Sequence, residues 1–212
     1  MRTPFLLLIL FALPFITSGQ AFKKKQRWFR GPGLVQLTDG KKLEGEIYYS
    51  FQYSIVQVIK NNRSSQFKSD KVVYFEYFDE GFEKKRKFYS IPYDLDQNKY
   101  KELVFFEVVK ELSNLALVKT QSYNNFDLAT GQYERLTEVL YFADNKGKIT
   151  PYVEVVYKLT GASRRIINKT ALTAITKKHT YKVNNYIKQE KLNEKKEEDL
   201  VLILEYFDKI RS

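Results

Sequence analysis

Six glutamates, Glu44, Glu46, Glu76, Glu107, Glu138 and Glu154, fall within stretches whose apolar alternation is that of β-strands. Two carboxylates held across a cleft can serve as acid and base in glycoside cleavage, so a hydrolase is the enzymatic reading of this chain. Alternating glutamates also form the wetted face of a sheet, and linear sequence does not set the separation of any pair. His179 is the only histidine, lies between Lys178 and Thr180, and is accompanied by no G-x-S-x-G motif. Relays built on paired imidazoles and Ser-His-Asp chemistry are thereby removed, and His179 reads as a surface residue. Cysteine is absent, which excludes disulfides, thiolate metal sites, cysteine nucleophiles and lipid attachment through an N-terminal cysteine. Asp94, Asp96 and Asn98 repeat the first three ligand positions of a calcium loop, yet Lys99 stands where glycine is needed and Phe105 where the closing glutamate belongs. That segment reads as a solvated loop. No catalytic residue, metal or cofactor is assigned, and these observations together lean away from an enzyme.

A different chemistry is offered by Lys23, Lys24, Lys25, Arg27, Trp28, Phe29 and Arg30, where cations are interleaved with aromatic rings. Such a segment can hold an anionic lipid interface or an acidic glycan by charge, with the rings adding contact, or stack on single-stranded nucleic acid. Its plain alternative is an arm that covers the edge of the body with Trp28 and Phe29.

The arm follows Met1-Arg2, an apolar run from Phe5 to Ile16, and the small or polar residues Thr17, Ser18, Gly19 and Gln20, in the order of a secretory signal peptide. The run falls short of the ~20 apolar residues that a spanning helix needs, and Pro14 interrupts it. Cleavage after Gly19 would leave Gln20 as the first residue. A retained, inverted anchor is the alternative that the cations beyond the cut suggest. Residues 1–19 are therefore expected to be a signal peptide, 20–33 a basic arm and linker, 34–160 an antiparallel β body, and 161–212 a helical segment packed on it. The expected location is the periplasm, the outer membrane or the exterior, which removes intracellular nucleic acid from the expected partners. A formal charge of +11 over 212 residues favours anionic ones, with anionic lipid and acidic glycan foremost.

The elements that must position these groups are mostly strands. Tyrosine and phenylalanine, 16 of each, suit half-buried sheet faces. Residues 34–38 and 42–49 read as a hairpin around Asp39-Gly40. Further strands are read at 55–59, 66–68, 72–78, 87–91, 102–109, 115–120, 136–143 and 148–158, with a polar loop over 121–133. Gly31-Pro32-Gly33 reads as a hinge between arm and body. Beyond Gly161 the spacing turns helical, at 170–178, at 182–192 and in a terminal helix. In that last helix Glu197, Glu198 and Asp199 stand at the positive end and Lys209 and Arg211 at the negative end. Its apolar stripe of Leu200, Leu204 and Phe207, with Val201, Ile203 and Ile210, should dock on the sheet. The expected class is α+β: an antiparallel, β-rich meander of about eight or nine strands, barrel-like or sandwich-like, with a C-terminal helical segment.

The segments GLVQLTDGKKLEGEI at 33–47, FFEVVKELSNLALVK at 105–119 and YIKQEKLNEKKEEDLVLILEYFDKI at 186–210 resemble a group of uncharacterised exported proteins from Bacteroidetes. The resemblance implies an envelope or periplasmic location and carries over no catalytic or binding residue. The resulting expectation is a non-enzymatic, exported cell-envelope protein with a binding or structural role. Its alternatives are a glycoside-type hydrolase using strand carboxylates, and a polyanion or anionic-lipid binder acting through Lys23, Lys24, Lys25, Arg27, Trp28 and Arg30.

Overall fold

Period-two alternation runs through most of the chain, and in the computed structural model, which describes residues 29–95, 99–127, 132–158 and 161–211, it becomes one sheet of eleven strands. In chain order these are β1 (Phe29–Leu37), β2 (Lys42–Ser50), β3 (Ile55–Lys60), β4 (Arg63–Lys68), β5 (Val72–Asp79), β6 (Lys84–Tyr93), β7 (Glu102–Glu111), β8 (Leu115–Asp127), β9 (Gln132–Asp144), β10 (Ile149–Lys158) and β11 (Ser163–Ile167). Every pairing is antiparallel, and the order across the sheet is β11-β10-β9-β8-β7-β6-β5-β1-β2-β3-β4. One step departs from a simple meander: β5 returns past β2, β3 and β4 to pair with the free side of β1. The sheet is open, with β4 and β11 at its edges. The class is α+β, and the barrel-like alternative is not realised as a closed barrel.

Several boundaries differ from the sequence reading. Gly31-Pro32-Gly33 is not a hinge but the first half of β1, paired with β2 from Phe29↔Tyr49 onward. The glycines are there because backbones nearly touch. A Cβ added at Gly31 would lie 1.7 Å from the carbonyl oxygen of Phe78, and one at Gly33 would lie 2.0 Å from that of Glu76. The supposed polar loop over 121–133 is largely strand, since β8 and β9 pair out to Asp127↔Gln132. Residues 163–167, included in the helical segment expected over 161–212, form β11 on the free edge of β10.

Tight backbone approach at β1 accompanies strong curling of the sheet. Tyr49 of β2 lies 4.9 Å from Phe88 of β6 and 5.8 Å from Phe105 of β7, ring centre to ring centre, although three and four strand positions separate them in the sheet. The concave side of this half is thus filled by the sheet itself, with Val35, Ile47, Val56, Phe75 and Phe88 buried together.

The other half cannot reach across to itself, and helices cover it. These are α1 (Lys169–Thr176), α2 (Thr180–Gln189) and α3 (Glu197–Arg211), the first two joined by a 3₁₀ turn at Lys177–His179. Leu172 of α1 and Leu200 and Leu204 of α3 pack on Leu117, Leu140, Phe142 and Val153. Each leucine so buried stabilises by roughly 1.5–3 kcal/mol relative to exposure. The stripe read for the terminal helix does dock: Leu200, Ile203, Leu204 and Phe207 are buried, and Glu197, Glu198 and Asp199 open its first turn. Helix α2 lies outside, with Val183 against Ile203 and Phe207. Among the described residues no helix is long and apolar enough to cross a membrane.

Because nothing larger than hydrogen fits between β1 and β5, Gly33→Ala should lower the unfolding free energy by about 1–3 kcal/mol. Urea unfolding followed by tyrosine fluorescence measures this, and an unchanged midpoint would contradict the close approach.

Candidate binding cleft

In strands β6, β7 and β8 a charge occupies an inward position that period two would assign to an apolar residue. Arg86 shares its face with Phe88, Glu107 with Phe105, and Lys119 with Leu117, and all six side chains are buried. Register sets Phe88 opposite Glu107 and Glu107 opposite Lys119, so the three charges form a transverse cluster where the self-packed half of the sheet meets the helix-covered half.

Each member is matched. Arg86 donates from Nε to Glu107 Oε1 at 2.8 Å and from Nη2 to Glu107 Oε2 at 2.5 Å, a two-pronged pair, while Nη1 reaches Asp79 Oδ2 at 3.3 Å. Lys119 Nζ stands 3.6 Å from Glu107 Oε2 and donates to Glu197 Oε2, at the first residue of α3, at 2.9 Å. The ring of Phe29 lies 4.5 Å from the guanidinium carbon of Arg86, a cation-π contact that lids the pair. Burial alone would raise the Glu107 carboxyl, but the hydrogen bonds and charge of Arg86, with the charge of Lys119, outweigh it and leave the carboxyl below its ordinary value. Burial would likewise lower Arg86 and Lys119, and their carboxylate partners raise both instead. The Tyr77 hydroxyl is buried nearby with no hydrogen-bond partner among the described residues, and burial raises it far above the ordinary phenol value.

Arg86 and Lys119 form the floor of a cleft of about 420 Å³. Gln121, Glu138, Leu140, Val155 and Tyr157 supply its wall, while Phe82, Lys84, Arg165, Lys195 and Lys196 stand at its rim. The floor network also places two rim elements. Asp79, which holds Arg86 through Oδ2, accepts the Gly81 backbone N–H on Oδ1 at 3.1 Å and so fixes the turn that presents Phe82. Glu197, which holds Lys119, begins the helix that Lys195 and Lys196 lead into. That lead-in is itself ordered by Asn193, whose Oδ1 accepts the Lys195 N–H at 3.1 Å.

The residues singled out in the sequence are distributed unevenly. Lys23, Lys24, Lys25, Arg27 and Trp28 lie outside the described residues. Phe29 lines the cleft, and Arg30 is exposed on β1 opposite Tyr48. Of the six strand glutamates, Glu107 and Glu138 lie on the concave face, by their alternation with its buried residues. Glu44, Glu46, Glu76 and Glu154 alternate to the other side. Glu76 there pairs with Lys85 at 2.7 Å. His179 is half-buried, edge-on to Phe207 at 6.2 Å, and takes no part in the cleft. In the calcium-like loop, Asp96 and Asn98 lie outside the described residues, and Asp94 Oδ2 accepts the Lys99 backbone N–H at 2.8 Å. Among the described residues no group of three or more His, Asp or Glu is placed to hold a metal ion. Arg86, Lys119, Asp79 and Glu197 were not singled out as site residues, although a charge on the apolar parity of a strand is a signal that could have found the first two.

No family model matches the chain, and no curated protein or solved structure shows significant similarity to it.

Removing the charge of Glu107 leaves Arg86 and Lys119 buried with one carboxylate fewer. Glu107→Gln should accordingly cost about 3–5 kcal/mol at neutral pH. A carboxyl lowered on folding contributes stability above its unfolded value, ordinarily 4.5, and that contribution is lost as pH falls through the lower folded value. The gap between wild type and Glu107→Gln should thus narrow on acidification below about 4.5, as read by urea unfolding at a series of pH values. A gap independent of pH would contradict the ionised network.

Proposed function

We propose that this chain is an exported, non-enzymatic binding protein of the cell envelope, whose binding site is the concave cleft. The observation that carries the binding role is the contrast between floor and rim. The deep cations are saturated by Asp79, Glu107 and Glu197, whereas Lys84, Arg165, Lys195 and Lys196 engage no carboxylate in an ion pair among the described residues. A saturated floor gives shape, and a cationic rim gives attraction for a negative ligand. Export is supported by the order of residue types in 1–20.

A glycoside-cleaving role needs a carboxyl that keeps its proton near neutral pH. Glu107 lies on the concave face but is held below its ordinary value by Arg86 first and by Lys119 and Lys84, which favours binding over turnover. The second reading, attachment to a polyanion or anionic lipid through the basic arm, is favoured by one observation. The arm enters the body at Phe29, on the cleft itself.

Fractionation of the native host with N-terminal sequencing tests the proposal. The expected species begins at Gln20 and is found in the envelope or periplasm; full-length chain in the cytosol would contradict it. Deleting residues 20–28 separates the two binding readings: vesicle pelleting on anionic lipid should be the same with and without the arm if the cleft is the site, and should be lost with the arm if the second reading holds.

A further inference from the structure

We infer that the cleft recognises an acidic saccharide, a short run of sugar rings bearing carboxylate or other acid groups, held by the rim cations and stacked on Phe82. This rests on the binding role proposed above and adds the ligand's chemical class.

Three observations point to that chemistry. Lys84, Arg165, Lys195 and Lys196 are exposed around one opening and form no ion pair among the described residues, with Lys84 acting on Glu107 only at a distance and Arg165 hydrogen-bonded to the Tyr157 hydroxyl, while Arg86 and Lys119 beneath them are paired with Asp79, Glu107 and Glu197. A negative group therefore meets the rim and not the floor.

Phe82 is 67% exposed at the same opening, on a turn pinned by Asp79. An aromatic ring held open to water beside polar groups offers a flat apolar surface for the C–H face of a pyranose. Tyr157, 37% exposed, adds a second ring to the wall.

Gln121 Nε2 donates to Glu138 Oε2 at 2.7 Å on that wall. The pair keeps a further amide hydrogen and carboxylate lone pairs, the donor and acceptor mixture that hydroxyl groups need. Glu138, Glu197 and Glu198 in the lining also make the cleft of mixed sign, which disfavours a uniformly charged polymer such as nucleic acid. Among the described residues the apolar lining comes from Phe29, Leu140 and Val155 with the rings of Phe82 and Tyr157, little surface for an acyl chain, which disfavours a lipid. A volume of about 420 Å³ lies at the small end of ligand sites and holds roughly two sugar rings.

Calorimetric titration of the purified chain with digalacturonate tests the inference, with neutral digalactose, inorganic sulfate and phosphatidylglycerol vesicles as parallel probes. The expected result is binding of digalacturonate that weakens about tenfold in Lys195→Ala/Lys196→Ala and again in Phe82→Ala, the loss of charge-assisted and stacking contacts. Lys41→Ala/Lys42→Ala, on the distant β1–β2 turn, should leave affinity unchanged. All these positions are exposed, so circular dichroism should show every variant folded. Equal affinity for digalactose would overturn recognition of the acid group. Binding of sulfate or vesicles without digalacturonate, or of no probe, would overturn the saccharide. Time-dependent cleavage of digalacturonate would leave the ligand class standing and overturn the non-enzymatic role, so the two failures are distinguishable.

Discussion

Arg86, Glu107 and Lys119 put full charges between two apolar cores, and burial of any one alone would be costly. They are tolerated because Asp79 and Glu197 complete the matching from the end of β5 and the start of α3. This constraint reaches well beyond the cluster. Asp79 ties down the turn that carries Phe82, and Glu197 ties the terminal helix to β8, so the ions that hold the halves of the body in register also set the mouth of the cleft. Replacing such a network with apolar side chains of similar volume is often neutral or stabilising, which makes its positioning role the more informative part of its presence.

Curling and covering are two answers to the same problem, the apolar concave face of a wide sheet whose opposite face carries only a smaller cluster around Phe106, Val118 and Tyr141. In the half containing β1, the close approach at Gly31 and Gly33 accompanies a bend sharp enough for Tyr49 to meet Phe105, and aromatic side chains fill the concavity. In the half containing β9 and β10, α1 and α3 do the covering. The cleft lies where self-packing stops and helix packing begins, a seam that neither core closes. Cations that form no ion pair among the described residues are exposed and gathered at that seam, the arrangement that attracts and retains a small anion.

Much of the architecture was legible in the chain because period two and helical spacing are local signals. The Asp39-Gly40 hairpin, the strand Val72–Asp79 and the stripe from Leu200 to Phe207 follow from neighbouring residues alone. The hinge reading of Gly31-Pro32-Gly33 failed because the same residues serve where backbones from distant segments nearly touch, and β5 supplies that neighbour from more than forty positions away. The extra length of β8 and β9 was hidden by polar side chains, which a strand accepts wherever its faces meet water. The site was less legible still. Lys195, Lys196 and Arg165 stood out only as dispersed charge, and their convergence depends on β11 and α3 meeting across β8, β9 and β10. Arg86 and Lys119 carried the better clue, a charge on inward parity, but their partners lie 21 and 78 residues away.

The central claim is that Arg86 and Glu107 act as one buried unit. A double-mutant cycle with Arg86→Met and Glu107→Leu, read as unfolding free energies in urea, addresses it most directly. The double variant should be less destabilised than the sum of the single variants by about 2 kcal/mol or more, because each single change takes from the other buried charge its two-pronged partner, and the double change removes both charges together. Additivity to within about 0.5 kcal/mol would contradict the account.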